Sequence, residues 1–425
     1  MKRDCGDLQS IIHWAWPHPG TITISRTPFL VLGVWLFVGF GLPLTVGARD
    51  TGYERTGLVL TTLDSSGNVG QFTSVTIGAD GLGLISYHDV TNRTLKVAHC
   101  SNRACTSATL STLDSAGEVG QFTSVTIGGD HLGLISYYDV TNRSLKVAHC
   151  SDRACTSATL TTLDDIGDVG QDTSITIGAD GFGLISYHDV TNGNLKVAHC
   201  SNRTCTDATL STLDSTGEVG QFTSVTIGAD RLGLISYYDA TNGTLKVAHC
   251  SNTTCTSATR TTLDSIGDVG LDSSLTIGAD GLGLISYHDV TNGNLKVAHC
   301  SNRACTSATL TTVDNTGTVG ADTSITIGTD GLGLISYRDD ANRTLKVAHC
   351  ANRICTSATV TTLDSTGDVG QFTSVTIGAD RLGLISYYDA TNGSLKVAHC
   401  SKFSCVPHPA VAEELLVAES HQRKK

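Results

Sequence analysis

The segment Leu95–Cys105 reads LKVAHCSNRAC, and the same arrangement, a histidine beside a cysteine with a second cysteine five residues on, occurs seven times along the chain. Such a set could ligate zinc through imidazole and thiolates, supply a thiolate nucleophile, or close a disulfide. Zinc is disfavoured if the segment is a strand, because His99 and Cys100 are adjacent and point to opposite faces. In an exported chain, an even count at fixed spacing reads as disulfides. The expected pairs are Cys100–Cys105, Cys150–Cys155, Cys200–Cys205, Cys250–Cys255, Cys300–Cys305, Cys350–Cys355 and Cys400–Cys405. A four-residue loop between antiparallel strands would make each pair cross-strand neighbours, and a bridge over so short a loop is worth about 2 kcal/mol. His99 and its equivalents are then expected to be hydrogen-bonded within the sheets rather than to act as general bases, since no serine, cysteine or acid is singled out as their nucleophile. Neither a metal nor a cofactor is implied.

These residues ride on an internal repeat of 50 residues that fills the chain from about 57 to 405. One period, residues 71–120, holds four short runs rich in Thr, Val, Ile and Tyr (FTSVTIG, LGLISYHD, TLKVAHC, TSATLSTL) separated by Gly, Asp and Asn turn signals. With no amphipathic helical stretch between them, each repeat is a four-stranded antiparallel meander, the sequence form of a β-propeller blade. The expected fold class is therefore all-β, a seven-bladed β-propeller. Seven three-strand units run from Gln71 to Cys405, while the seven fourth-strand segments begin with Gly57–Leu63, ahead of any unit. Lending that segment to the last blade closes the ring and removes both loose edges. Pro407 and Pro409 forbid another ladder strand at the other end.

Residues 1–50 are different material, with all three tryptophans, the leftover Cys5 and the apolar run Phe29–Ala48. They are expected to be an extended N-terminal segment carrying a signal peptide, cut after Val46-Gly47-Ala48, or alternatively an uncleaved membrane anchor. Either places the repeats outside the cytoplasm, as a secreted or extracytoplasmic domain at 57–405 followed by a tail at 406–425. The tail segment Ala410–Lys425 is compatible with a short amphipathic helix or with disorder. A formal net charge of -12 with no clustered Lys and Arg argues against nucleic acid as a partner.

The phrase LISYYDATNGTLKVAHC, Leu234–Cys250, resembles the blades of exported bacterial propeller proteins built from nearly identical repeats of about 50 residues. The resemblance spans residues 57–405 and implies a seven-bladed disc, with no particular activity attached. The Trp-Asp dipeptides of WD40 blades and the aromatic Ser-x-Asp-x-Gly box of sialidases are both absent.

Hairpin geometry assigns further roles. A type I′ turn at Asn242-Gly243 pairs positions summing to 485, setting Asp239 opposite Lys246 and Ser236 opposite His249. Asp89/Lys96 and its equivalents become cross-strand ion pairs worth at most about 1 kcal/mol. A three-residue loop at Ala79–Gly81 sets residue 72 opposite residue 88. Through the copies that pair reads Phe72/His88, Phe122/Tyr138, Asp172/His188, Phe222/Tyr238, Asp272/His288, Asp322/Arg338 and Phe372/Tyr388. Aspartate always meets His or Arg and Phe meets an aromatic ring, as direct contact would produce. These fourteen residues are the candidate ligand-binding set, on one face of the disc beside loops rich in Asp and Asn. Calcium on Asp114 and Glu118 is disfavoured because the second position drifts to Asn68 and Thr318. Seven sequons, among them Asn92-Arg93-Thr94 and Asn252-Thr253-Thr254, matter only if the cell glycosylates them.

Carboxylates, amides, hydroxyls and rings together suit sugars. The expected function is thus a secreted multivalent binding module with lectin-like recognition of glycans, on cell surfaces or in extracellular polymer, gaining avidity from repeated weak sites. Two rivals are a polysaccharide hydrolase or lyase, for which the most divergent copy (Ala321, Arg338, Asp340) is the place to look, and an adhesive scaffold without small ligand.

Overall fold

Short β-branched and aromatic runs between glycine-rich turns become strands where the sequence places them. The computed structural model describes residues 57–405, so the export segment, Cys5 and the tail lie outside the described residues. β1 (Val59–Asp64) is followed by β2 (Val69–Ile77), β3 (Gly83–Asp89), β4 (Thr94–Cys100) and β5 (Ala108–Asp114), and the pattern repeats in order to β26 (Val369–Ile377), β27 (Gly383–Asp389) and β28 (Ser394–His399). Seven four-stranded antiparallel sheets result, each a blade with its first strand innermost, and the described residues contain no helix. The last blade takes the order β1-β28-β27-β26, with Val59 opposite His399 and Thr61 opposite Val397. The ring closes through the N-terminal strand, as the strand count predicts.

Side chains of successive blades stitch the inner strands together. The Ser74 hydroxyl accepts the N–H of Val125 in the next blade at 3.0 Å, and the Ser374 hydroxyl accepts that of Val75 across the closure at 3.1 Å. Gly70, at φ +99°, lets the backbone of one blade lie against that of the preceding one, since a Cβ there would come within 2.7 Å of the Leu395 Cα. The core between blades is Val, Ile, Leu and a tyrosine per blade, Tyr87 and its equivalents being fully buried.

Three expected registers are corrected. In the second hairpin Tyr237, not Asp239, stands opposite Lys246, while Asp239 faces Thr244 and Ser236 faces Val247. The pairs sum to 483 because the connection has four residues, held open by Asp239, whose Oδ1 accepts the Asn242 N–H at 3.0 Å. In the first hairpin the three-residue loop is present (Gly78 N–H to the Leu82 carbonyl, 2.7 Å) and Ser74 faces Ser86, but Gln71 rather than Phe72 faces His88. A bulge ejects Phe72 into the left-handed region at φ +54°. Finally, Cys100 lies opposite Ala108, so the third connection runs over residues 101–107 and Cys105 sits inside it at φ +50°, not on the facing strand.

All seven cysteine pairs are bridged, with Cα–Cα separations of 4.8–4.9 Å. Each bridge packs over the glycine that opens the second strand: a Cβ on Gly83 would stand 2.8 Å from the Cys100 Sγ. Because the crosslink closes only a local turn, the double substitution Cys200→Ser/Cys205→Ser should lower stability by about 2 kcal/mol and leave the ring closed. Urea denaturation and far-ultraviolet circular dichroism check this; an unfolded variant would mean the bridges hold more than their own turns.

Candidate functional site

The nine-residue inner strands line an axis with two unlike ends. The upper end carries the loops 65–68 and 90–93 of the first blade and their equivalents; the lower end carries the loops 78–82 and 101–107.

At the upper end the bulge turns residue 72 and its six equivalents inward, where they form a plug. All seven sit at φ between +52° and +60°, a region that costs a non-glycine residue about 1 kcal/mol or more. The Phe72 ring is 5.2 Å from that of Phe122 and 4.7 Å from that of Phe372, so the last, first and second blades contribute an apolar half. Asp172, Asp272 and Asp322 make the other half acidic, with Phe222 between the first two. The Asp272 Oδ2 accepts the N–H of Asp322 at 3.0 Å. Burial, helped by the charge of Asp272 and opposed by the Phe222 N–H, pushes the carboxyl of Asp172 up to about 8. Its Oδ1 has no hydrogen-bond partner.

The partners expected from the hairpin do touch where rings are concerned. Centroids are 5.9 Å apart for Phe72 and His88, 5.7 Å for Phe122 and Tyr138, 6.1 Å for Phe222 and Tyr238, and 6.2 Å for Phe372 and Tyr388. The charge of Asp322 bears on Arg338. All fourteen candidate residues are buried, none more than 8% exposed, so they are wall and plug rather than open surface. The second member of each pair reaches the loop that precedes the next blade. Tyr138 donates to Asp168 at 2.7 Å, Tyr238 to Asp268 at 2.6 Å, Arg338 to Asp368 at 2.7 Å and Tyr388 to Asn68 at 2.7 Å, and His188 lies 3.0 Å from Glu218. The drift at position 68 and its equivalents therefore tracks a neighbour's side chain. Burial draws the imidazole of His88 down to about 4.

A second set of contacts went unseen in the sequence. Asp64, at the end of the closing strand, accepts the hydroxyl of Tyr87 at 2.8 Å and the ammonium of Lys96 at 2.5 Å, both in the first blade. The same clasp joins every blade to the next, as with Asp314 to Tyr337 (2.7 Å) and Lys346 (2.6 Å). Lys96 remains 3.8 Å from Asp89, the expected partner, so that pair exists as the longer arm of a buried triad. His99 is hydrogen-bonded as expected, though to the loop aspartate Asp80, through Nε2 at 2.8 Å.

At the lower end the axis opens into a funnel of about 670 Å³. Its wall alternates Thr76, Thr126, Thr176, Thr226 and Thr276 with Ile77, Ile127, Ile177, Ile227 and Ile277, and its mouth is formed by Gly78, Ala79, Gly128, Gly129, His131, Gly178, Gly378 and Ala379. No notebook of motifs in the primary structure marks this cavity: its residues are ordinary strand formers, and its width comes from the number of blades. Among the described residues no group of three or more His, Cys, Asp and Glu is arranged to hold a metal ion.

No family model matches the chain, and no curated protein matches it either. Solved structures do. A protein of unknown function from Dyadobacter fermentans superposes with a TM-score of 0.50 at 11% identity, over 81% of this chain and 97% of that one. A chain of the hydrazine synthase of Kuenenia stuttgartiensis superposes with a TM-score of 0.54 at 12% identity, over 77% of this chain and 95% of that one. At such identity the likeness is one of fold.

Proposed function

We propose that this chain is an exported, non-catalytic binding module that seats a glycan or a related extracellular polymer in the lower axial funnel. The funnel carries the reading: about 670 Å³ lies within the range of small-ligand sites, and a wall mixing aliphatic groups, hydroxyls and backbone suits a polyhydroxylated chain. The acids and imidazoles that could serve catalysis are engaged in contacts repeated from blade to blade, such as Asp64 with Lys96 and Asp80 with His99, whereas catalysis calls for one asymmetric constellation. Seven disulfides accord with an oxidising extracellular compartment, and no helix among the described residues is long and apolar enough to cross a membrane. The expected multivalency takes a particular form here, with near-equivalent groups around one axis offering a repeating polymer several rotational registers and so raising its effective concentration.

A glycan array tests this with the native protein and with Ala79→Trp/Ala379→Trp, which sets two indoles in the mouth at exposed positions. The native protein should bind a defined group of sugars, and the double variant should lose at least about tenfold in affinity, some 1.4 kcal/mol. A blank array would leave the adhesive scaffold as the reading; turnover of a bound glycan would leave the enzyme.

A further inference from the structure

The mouth of the funnel breaks the sevenfold repetition at one position. The residue at the tip of each 78–82 loop adopts φ between +68° and +85°, and in four blades it is glycine, which takes that conformation freely. In the other three it is His131, Arg231 or Arg381, at φ +68°, +70° and +70°. All three departures introduce a cationic type of side chain, and all three are exposed. They fall on the second, fourth and seventh blades, as even a spacing as three can have among seven. His131 lines the cavity. Arg231 lies over the neighbouring loop, its Nη2 donating to the carbonyl of Ala179 at 3.2 Å, next to the lining residue Gly178.

Acidic neighbours do not cancel these groups from within the mouth. The aspartate preceding each, Asp130, Asp230 or Asp380, is drawn to a histidine of the third strand, at 2.7, 2.8 and 2.9 Å. Among the described residues none of the three cationic side chains has an ion-pair partner of its own, in contrast to Arg338 with Asp368 at 2.7 Å. Side chains that leave a glycine conformation for a strained one, and do so at the opening of a cavity, mark function better than they mark folding.

We propose, building on the funnel as the binding site, that its ligand is an acidic glycan whose carboxylate or sulfate is held at the mouth by His131, Arg231 and Arg381. Guanidinium groups bind both anions through paired N–H donors. Three donors set around an axis can reach an anion from separate sides, while the Thr and Ile wall takes the neutral part of the sugar.

The test is calorimetric titration of the native protein and of His131→Gly/Arg231→Gly/Arg381→Gly. Glycine occupies the same position and φ in four sister blades, so the triple variant should retain the fold, with circular dichroism as the check. The probes are tetragalacturonic acid, its full methyl ester and a sulfated maltotetraose. At least one acidic probe should bind the native protein about tenfold or more tighter than the neutral ester, weaken as salt is raised, and lose that preference in the triple variant, while the ester binds both proteins alike. Comparison of the two acidic probes tells carboxylate from sulfate. Equal binding of acid and ester by the native protein, or an acid preference that survives in the triple variant, overturns the acidic-ligand proposal and leaves the funnel standing. Failure of all three probes to bind, together with a blank glycan array, removes both.

Discussion

Deleting Gly57–Asp64 is expected to destabilise the whole ring, not the last blade alone. The strand provides the outer edge of that blade, pairing Val59 to His399 and Leu60 to Ala398, and its loss exposes the ladder groups of β28 to any strand that can pair with them. It also carries Asp64, so its removal leaves the Lys96 ammonium, whose side chain is 11% exposed, without its nearest carboxylate. Breaking such a buried pair costs about 3–5 kcal/mol by itself. The truncated protein should therefore unfold at much lower urea and run as aggregate on size-exclusion chromatography. A permuted chain that carries the same segment after Cys405 through a flexible linker should recover both properties. A truncated protein that stayed monomeric with an unchanged urea midpoint would show that the blades hold together without closure.

The closing strand was legible because it follows from counting: seven inner units and a spare outer strand admit few arrangements. The clasp was not, because Asp64 and Lys96 stand 32 residues apart and act across a blade boundary. Their types are the same in every copy, so nothing in the repeat varies to betray the contact. Asp89 was assigned to Lys96 on the assumption of a two-residue turn, and side-chain capping by Asp239 and its equivalents lengthened that turn by two residues. The bulge at Phe72 was equally hidden, since a phenylalanine at positive φ contradicts local preference and is imposed by the packing of seven inner strands around one axis. One further contact could have been found. The drift from Asn68 through Asp168, Glu218 and Thr318 was read only as evidence against calcium, yet it runs alongside the changes at Tyr388, Tyr138, His188 and His288, the partner positions one blade back.

Acid should unfold this protein within a definable range of pH. Burial alone would raise the carboxyl of Asp314, but the hydrogen bonds from Lys346, Thr316 and Tyr337 outweigh it and bring the group down to about 2, as equivalent contacts do for Asp64 and Asp214. A carboxyl depressed in the folded state contributes stability above its unfolded value, 3.8 here, and surrenders it as pH falls through the folded one. The loss is thus expected between about pH 4 and 2, at about 2 kcal/mol for each of the three groups. His88 and Asp172 shape the range above. Folding draws His88 down from 6.5 to about 4, so its contribution disappears over that interval as pH falls, while Asp172, raised from 3.8 to about 8, loses its contribution as pH rises over its own interval. Between about pH 4 and 6.5 the two slopes oppose and stability should be nearly flat. Asp314→Asn isolates the clasp: it keeps the shape but leaves Lys346 facing a neutral amide, so it should cost about 3 kcal/mol at pH 7. By pH 2, where the native carboxyl is itself half protonated, most of that difference should be gone. Urea midpoints for both proteins from pH 2 to 8 measure this directly. A difference that stayed constant down to pH 2 would mean the lysine is held by something other than the charge of Asp314, and the electrostatic account of how one blade grips the next would fail with it.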